Sequence, residues 1–237
     1  MKKATLLIIN LEKVYTMKVK KQQDVILNNA YLAIHHDQIL ALGNDDYHVW
    51  MDKDTRVIDA KGCIALPGFI DVAADFSSSY RWQEQAYRYD LMRNGVLTIA
   101  MKDTKTYFEI DFVKQREMKY PILYGKEIMM MKKFKGRKQF CISGYDSTFD
   151  LSNPLLLAQI LHIKFQVDAL TLVKALTYYP AKALLLKTVG VLDVHKQADI
   201  LLCKGDDICC LFDGIKQDKI VQVIKRGIRI YPFVLIS

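Results

Sequence analysis

Leu66-Pro67-Gly68-Phe69-Ile70-Asp71-Val72-Ala73-Ala74-Asp75 is the stretch of this sequence that decides its interpretation. The apolar residues after the Pro-Gly pair predict a buried strand. Residues two apart on a strand point to the same side, so Ala73 and Asp75 are predicted to share a face. That face offers one methyl group and one carboxylate, which is fewer than the three or four ligands that a metal site needs.

The same stretch resembles the Pro-Gly-hydrophobic-hydrophobic-Asp-x-His-x-His signature of the metal-dependent amidohydrolases. Ala73 stands where that family has its first histidine, and Asp75 stands where it has the second. The family also has two further histidines, often a lysine, and an aspartate at the end of its last barrel strand. Gly144 occupies that aspartate position, directly after residues 141–143. The resemblance therefore implies a hydrolase framework with a degenerate metal motif.

Three later stretches extend the resemblance. Residues 171–184 are similar to a family helix that ends in Ala-Thr-x-x-Pro-Ala-x-x-Leu, and residues 190–201 to Gly-x-Leu-x-x-Gly-Lys-x-Ala-Asp followed by two apolar residues. His195 replaces the usual glycine in the second of these stretches. Residues 223–228 are similar to the hairpin that closes the family's sheet. Imidazolonepropionase-like members of the family share these motifs most closely.

The resemblance implies a composite β-sandwich, built from residues 1–62 and 187–237, beside a barrel-like domain of residues 63–186. We therefore expect an α/β fold plus a β-sandwich. The middle stretch has only 124 residues, whereas a complete (β/α)₈ barrel takes about 250 and rarely fewer than 200. This shortage predicts a truncated, TIM-barrel-like remnant. Because an open remnant leaves edge strands unpaired, we expect either a smaller α/β layer or two chains that cover each other.

Local patterns predict short strands at both ends of the chain and alternating strands and helices between them. Strands are predicted at residues 5–9, 25–34, 38–42, 56–58, 66–71, 96–101, 122–124, 140–143, 200–203, 220–225 and 228–231. Helices are predicted at residues 80–94, 109–119, 153–165, 168–177 and 180–186. Asn153 and Asp168 are predicted to cap the helices that follow them.

Two carboxylates are candidate catalytic residues, Asp75 and Asp146. If they met at a barrel mouth, they could work as an acid/base pair in a surviving hydrolase of carbon–nitrogen bonds in cyclic amides, with zinc or iron as cofactor. Asp146, however, lies in Gly-Tyr-Asp-Ser, a sequence typical of turns. The favoured interpretation is a non-catalytic protein that needs no metal and binds a small ligand or a protein partner. The expected assembly is a homodimer or a complex with another protein.

Residues 132–138 form the densest basic run, with Phe134 inside it. A basic run that includes an aromatic residue could bind nucleic acid or an anionic surface. A solvated loop in place of the missing barrel strands is the favoured interpretation. His35-His36 is interpreted as an exposed turn, and Ser77-Ser78-Ser79 as a loop that caps the following helix.

Composition places the chain among globular proteins, since 51% of its 237 residues are hydrophobic and 25% are charged. The formal net charge is +8, which makes acidic partners possible, although scattered lysines more often form a solubilising surface. Five cysteines without a metal or redox spacing predict reduced thiols. No stretch approaches the ~18 apolar residues of a membrane span. The sequence thus predicts a cytoplasmic protein with no membrane contact.

Overall fold

The structure is a computed structural model that describes residues 2–20, 23–73, 81–101, 109–136, 138–144, 153–215 and 218–232, with only the backbone of 81–84. The chain divides into two compact units. The first comprises Met1–Pro67, Lys187–Cys210 and Asp218–Ser237, and the second comprises Gly68–Leu186 and Leu211–Gln217. Both ends of the chain therefore contribute to the first unit.

The secondary structure changes character along the chain. The first part contains one short 3-10 helix (Tyr47–Trp50) and five strands, which are β1 (Leu6–Lys20), β2 (Gln23–His35), β3 (Gln38–Gly43), β4 (Arg56–Asp59) and β5 (Cys63–Pro67). The middle alternates, with β6 (Phe69–Asp71), α1 (Arg81–Arg93), β7 (Val96–Met101), β8 (Asp111–Lys114), β9 (Ile122–Tyr124), α2 (Gly125–Met130), β10 (Cys141–Ser143), α3 (Pro154–Phe165), α4 (Ala169–Leu176) and α5 (Tyr178–Ala183). The last part returns to strands, which are β11 (Ile200–Lys204), β12 (Ile220–Lys225) and β13 (Ile228–Tyr231).

The first unit is built on one sheet with the strand order β13-β12-β11-β5-β1-β2-β3, and β4 pairs with the start of β1. β5 and β11 are antiparallel neighbours, with Pro67 opposite Ile200 and Cys63 opposite Lys204. This pairing joins strands from the two ends of the chain. The predicted two-layer sandwich stays a prediction, but strands of both termini do share one sheet.

A bulge in β1 keeps its apolar side chains in the core. Ile8 pairs with Leu32 and Leu11 pairs with Ala30, so two residues of β1 lie opposite one of β2. Asn10, inside the bulge, has a φ of 58°, a left-handed conformation that asparagine tolerates better than most residues. Because the bulge adds one residue, Ile8 and Leu11 both enter the same buried cluster despite their odd spacing.

The second unit contains parallel strands with helical connections, which is the α/β arrangement that the sequence predicts. β6, β7 and β8 form one parallel sheet, and β9 and β10 form a parallel pair. α4 packs on both β6 and β10. Segment 211–217 joins this unit through α3, where the Gln159 side-chain amide donates to the Leu211 carbonyl at 2.8 Å. None of the helices in the described residues is long and apolar enough to span a bilayer.

Two predictions about this region are wrong. Residues 109–119 do not form a helix, because 111–114 pair with β7 in a parallel ladder. The Phe112 and Val113 side chains suit a strand, and the pairing overrides the helical pattern. The predicted strand 66–71 is also not continuous but divides at Gly68 into β5 and β6. A Cβ at Gly68 would lie 2.7 Å from Leu97 Cδ1 and 3.1 Å from Leu97 Cβ, so a larger residue at this point would displace the Leu97 side chain of β7.

A buried ion pair fixes the C-terminal hairpin to the first unit. Lys225 Nζ lies 2.7 Å from Asp199 Oδ2, and the exposed fractions of the two side chains are 0% and 4%. The same carboxylate accepts hydrogen bonds from the Gln197 amide at 2.9 Å and the Arg226 backbone N–H at 3.0 Å. Breaking a buried pair by removing one partner leaves an uncompensated charge, which costs far more than an exposed pair contributes.

We therefore expect Lys225→Met to lower the free energy of unfolding by about 3–5 kcal/mol, because it leaves the Asp199 carboxylate buried without its cationic partner. Urea denaturation followed by circular dichroism measures the change. Lys204→Met, at the exposed end of β11, is the matched control and should unfold like the parent protein. Equal stability of the two variants would contradict a structural role for the pair.

Candidate functional site

The candidate site lies where β6 and β10 end, and Asp71 is its centre. The Asp71 side chain is fully buried. Its Oδ1 accepts a hydrogen bond from the Ala73 backbone N–H at 3.0 Å, and its Oδ2 accepts one from the Gly144 N–H at 3.0 Å. The Ser143 hydroxyl lies 2.6 Å from Oδ1. One carboxyl group thus connects the ends of two strands that are far apart in sequence.

The Ser143 hydroxyl lies between two acceptor oxygens. Its Oγ is 2.6 Å from Asp71 Oδ1 and 2.7 Å from the Ala73 carbonyl oxygen. A serine hydroxyl carries one proton and cannot donate fully to both oxygens. One hydroxyl at the end of β10 is thus shared between the Asp71 carboxyl group and the Ala73 backbone.

Burial and hydrogen bonding shift the pKa of Asp71 in opposite directions. Burial raises the pKa of the Asp71 carboxyl above its ordinary value, because the low-polarity interior disfavours the charged form. The hydrogen bonds from Ser143, Ala73 and Gly144 act in the opposite direction. Desolvation is the largest of these effects, so the neutral acid is favoured here more than in water.

The structure brings two of the predicted degenerate positions, Ala73 and Gly144, to this one place. Both act through their backbones alone, by binding Asp71 and Ser143. No site role was predicted from the sequence for Asp71 or for Ser143. A serine at the end of a predicted strand is the only signal that could have found it. Asp75, Asp146 and Ser77-Ser78-Ser79 lie outside the described residues.

The described residues at this place do not fit a catalytic metal. Ala73 and Gly144 have no side-chain donor, and both oxygens of Asp71 are occupied by hydrogen bonds. No group of three or more His, Cys, Asp or Glu residues in the described part of the chain could hold a metal ion. His162 has a structural contact instead, since its Nδ1 lies 2.8 Å from the Val167 carbonyl oxygen and its ring packs against Phe212.

The basic run has an anchored aromatic residue. The Phe134 ring packs edge-on against buried Phe140, with 5.6 Å between ring centroids. Lys133 and Lys135 are exposed on either side and line a shallow cleft of about 260 Å³. Because Phe134 packs against Phe140, its presence in the basic run is explained without a nucleic-acid base stacked on its ring.

The five cysteines are free. Burial raises the pKa of the Cys141 thiol to about 12 and raises that of Cys203 well above its ordinary value. The reactive form of cysteine is the thiolate, which these pKa shifts suppress. Neither of these two buried thiols therefore has the environment of a catalytic nucleophile.

Comparison with known proteins identifies a family to which the chain is similar. A model of the amidohydrolase family matches residues 93–229, more than half of the chain. The match begins after the 66–75 stretch and includes Ser143 and Gly144. Imidazolonepropionase from Caldanaerobacter subterraneus subsp. tengcongensis is 38% identical over 78 residues, which are 29% of this chain and 18% of the relative. The chain thus matches less than a fifth of that relative's length.

Solved structures show a similar fold. An atrazine chlorohydrolase from Arthrobacter aurescens TC1, complexed with zinc, is 14% identical with a TM-score of 0.58, and the similarity covers 94% of each chain. An adenosine deaminase from Xanthomonas campestris with bound zinc is 11% identical with a TM-score of 0.64, covering 96% of this chain and 93% of the other. At these identities the likeness concerns the fold alone.

The Asp71 arrangement predicts a pH-dependent effect of Ser143→Ala. Since the folded pKa of Asp71 is raised, its contribution to stability is fully present below the unfolded pKa of about 3.9 and is lost as the pH rises through the folded pKa. Removing the Ser143 hydroxyl removes a group that stabilises the charged form. We expect the variant to lose about 1–3 kcal/mol near neutral pH and less near pH 4.

Urea unfolding of both proteins at a series of pH values measures this difference. Thr177→Val is the matched control, because the Thr177 hydroxyl is buried and donates to a neutral acceptor, the Val173 carbonyl, at 2.7 Å. Its cost should stay constant with pH. A pH-independent cost for Ser143→Ala as well would refute the coupling to Asp71.

Proposed function

This chain belongs to the amidohydrolase family, and we propose that it is a non-catalytic member that acts by binding a ligand or a protein partner. Its fold class is the family's, with a composite β-sandwich and a truncated TIM-barrel-like remnant. The sharing of one sheet by both termini supports the first part of this description. The five strands in the described residues of the second unit support the second part, since a full barrel has eight.

The observation that carries the proposal is the hydrogen-bonded closure around Asp71. A metal-dependent hydrolase needs side chains that hold the ion and leave a position for water. Here Ala73 and Gly144 offer backbone groups only, and these bind Asp71 and Ser143. The place is filled by a closed polar network in which the carboxyl group joins two strands.

One alternative is a residual hydrolase of carbon–nitrogen bonds in cyclic amides, with a site around Asp75 and Asp146 and with zinc or iron as cofactor. The match to an imidazolonepropionase favours this alternative. The basic run supports a nucleic-acid adaptor less well, because Phe134 packs against Phe140. We place the protein in the cytoplasm, in keeping with its free cysteines.

Metal content separates the two leading hypotheses. We expect protein purified without chelator to carry zinc, iron and manganese at well below one ion per chain, measured by inductively coupled plasma mass spectrometry. The Asp75→Asn/Asp146→Asn double variant should give the same result, because neither carboxylate holds a metal. A stoichiometric metal that disappears in the double variant would establish the hydrolase site instead.

We propose that the partner is a second copy of this chain. Within the described residues, β8 pairs only with β7 and β9 pairs only with β10, so each presents an open edge. Met129, Met130 and Ile163 are exposed by 43%, 68% and 53%. Lys164 donates from its Nζ to the Met129 carbonyl at 3.3 Å, which brings the ends of α2 and α3 together. We call these three exposed apolar side chains the α2–α3 patch.

Because apolar contacts in the α2–α3 patch would be lost, we expect Met130→Glu/Ile163→Glu to convert a dimer to a monomer of 27.3 kDa. Sedimentation velocity measures the mass of both proteins. Val49→Glu changes an apolar side chain of similar exposure in the first unit and should leave the dimer intact. A monomeric parent protein, or a dimer that survives the double variant, would disprove this interface.

A further inference from the structure

An open, polar surface cavity of about 490 Å³ lies in the first unit. Its volume falls within the ~300–1,000 Å³ range of small-molecule sites. Leu11 of β1 and Ala30 of β2 contribute to its lining as a directly paired, buried couple. Its other lining residues are polar or aromatic. The cavity therefore combines an apolar pair with polar and aromatic groups.

The backbone around the cavity has an uncommon conformation at two positions. Asn10 and Asn29 line it with φ values of 58° and 47°. Eight non-glycine residues in the described part of the chain have positive φ, and these two face one cavity. A bulge such as the one at Asn10 re-aims side chains, and strained backbone is concentrated at binding sites. Asn10 itself is held in place, since its side-chain amide donates to Asp59 Oδ1 at 3.0 Å.

One side of the cavity is rigid. The Tyr31 hydroxyl donates to Asp45 Oδ1 at 2.8 Å and accepts a hydrogen bond from Trp50 Nε1 at 3.0 Å. The Tyr47 ring stands edge-on to the Tyr31 ring, with centroids 6.1 Å apart. A Cβ at Gly43 would lie 2.6 Å from Asp45 Oδ1, so this carboxylate packs directly on the backbone. These contacts fix the groups before a ligand arrives, which lowers the entropic cost of binding.

Other groups in the cavity have spare hydrogen-bonding capacity. The side chains of Asn29 and Asn44 are exposed, and their amides have no hydrogen-bond partner among the described residues. Glu12 uses Oε1 to accept the Gly62 N–H at 3.1 Å, which leaves its second oxygen for other contacts. An amide both donates and accepts, whereas a carboxylate only accepts. The cavity thus presents donors and acceptors close together.

The charges and rings of the cavity select among ligand classes. The lining includes two carboxylates, Glu12 and Asp45, and one ammonium group, Lys61. The net charge of these three groups is negative and does not favour an anionic ligand. A hydroxyl group donates and accepts, as the free amides do. One face of the Tyr47 ring stacks on the His48 ring, with centroids 4.4 Å apart. A remaining aromatic face attracts weakly positive C–H groups. We propose that this cavity binds a neutral, polyhydroxylated small molecule of the saccharide class.

The test uses the full chain and named probes. Maltose, lactose and N,N′-diacetylchitobiose are titrated by isothermal calorimetry, with choline and inorganic phosphate as charged probes. We expect saturable binding of at least one disaccharide and none of the charged probes. Asn29→Gly/Asn44→Ala removes both free amides, while glycine keeps the backbone of residue 29 unstrained. Each lost hydrogen bond weakens binding several-fold, so the double variant should bind about tenfold or more weakly.

Asn28→Ala is the matched control, because Asn28 is an exposed neighbour that does not line the cavity. It should bind like the parent protein. If the double variant unfolds at a lower urea concentration than the parent protein, the affinity of the single variant Asn44→Ala is measured instead, because this position is exposed. The proposal is overturned if no disaccharide binds, if only choline or phosphate binds, or if removal of the amides leaves affinity unchanged.

Discussion

The antiparallel pairing of β5 with β11 is the constraint on which the rest of the first unit depends. It joins Cys63–Pro67 to Ile200–Lys204, and it is the only ladder among the described strands that pairs one from before the second unit with one from after it. Outside this ladder, the Ile39 backbone also bonds to Lys196 and His195. Closing so long a loop costs chain entropy, which the buried apolar surface must offset. The Lys225–Asp199 pair then holds β12 in place against β11.

In this topology the middle of the chain is an insertion between strands that pair with each other in the sheet of the first unit. The chain leaves the first unit after Pro67 and returns at Lys187, and segment 211–217 leaves it a second time. Strands can therefore be lost from the middle without unpairing any strand of the first unit. The Asp71 network meets a separate need, because it connects the ends of β6 and β10 without a backbone ladder between those two strands.

Local chemistry could be predicted from sequence where one side chain decides the outcome. Asn153 caps α3 by accepting the Leu155 N–H at 2.9 Å, and Asp168 caps α4 through the Thr171 N–H at 2.9 Å. The β12–β13 hairpin has its predicted bounds. A Cβ at Gly227, in its turn, would lie 1.9 Å from the His36 carbonyl oxygen, so glycine is required there. Each of these features depends on neighbours in sequence or on one residue type.

Features that depend on distant contacts could not be predicted. β8 is a strand because β7 lies beside it, although its own pattern favours a helix. β1 continues to Lys20 because β2 pairs with it beyond the predicted end at residue 9. The contact between Asp71 and Ser143 joins residues 72 positions apart, and no local pattern encodes it. The candidates Asp75 and Asp146 lie outside the described residues and stay predictions.

The position of β5 in the sequence has a consequence for folding during synthesis, because its antiparallel neighbour is made much later. Ile64, Ala65 and Leu66 are fully buried in the finished protein, but their antiparallel neighbour β11 begins at Ile200. At about 5–20 residues per second, synthesis of the intervening chain takes roughly 10 s. During that interval one edge of β5 is unpaired. An unpaired strand edge can pair with another chain, which leads to aggregation. The edge of β5 is therefore open to aggregation until β11 has been synthesised.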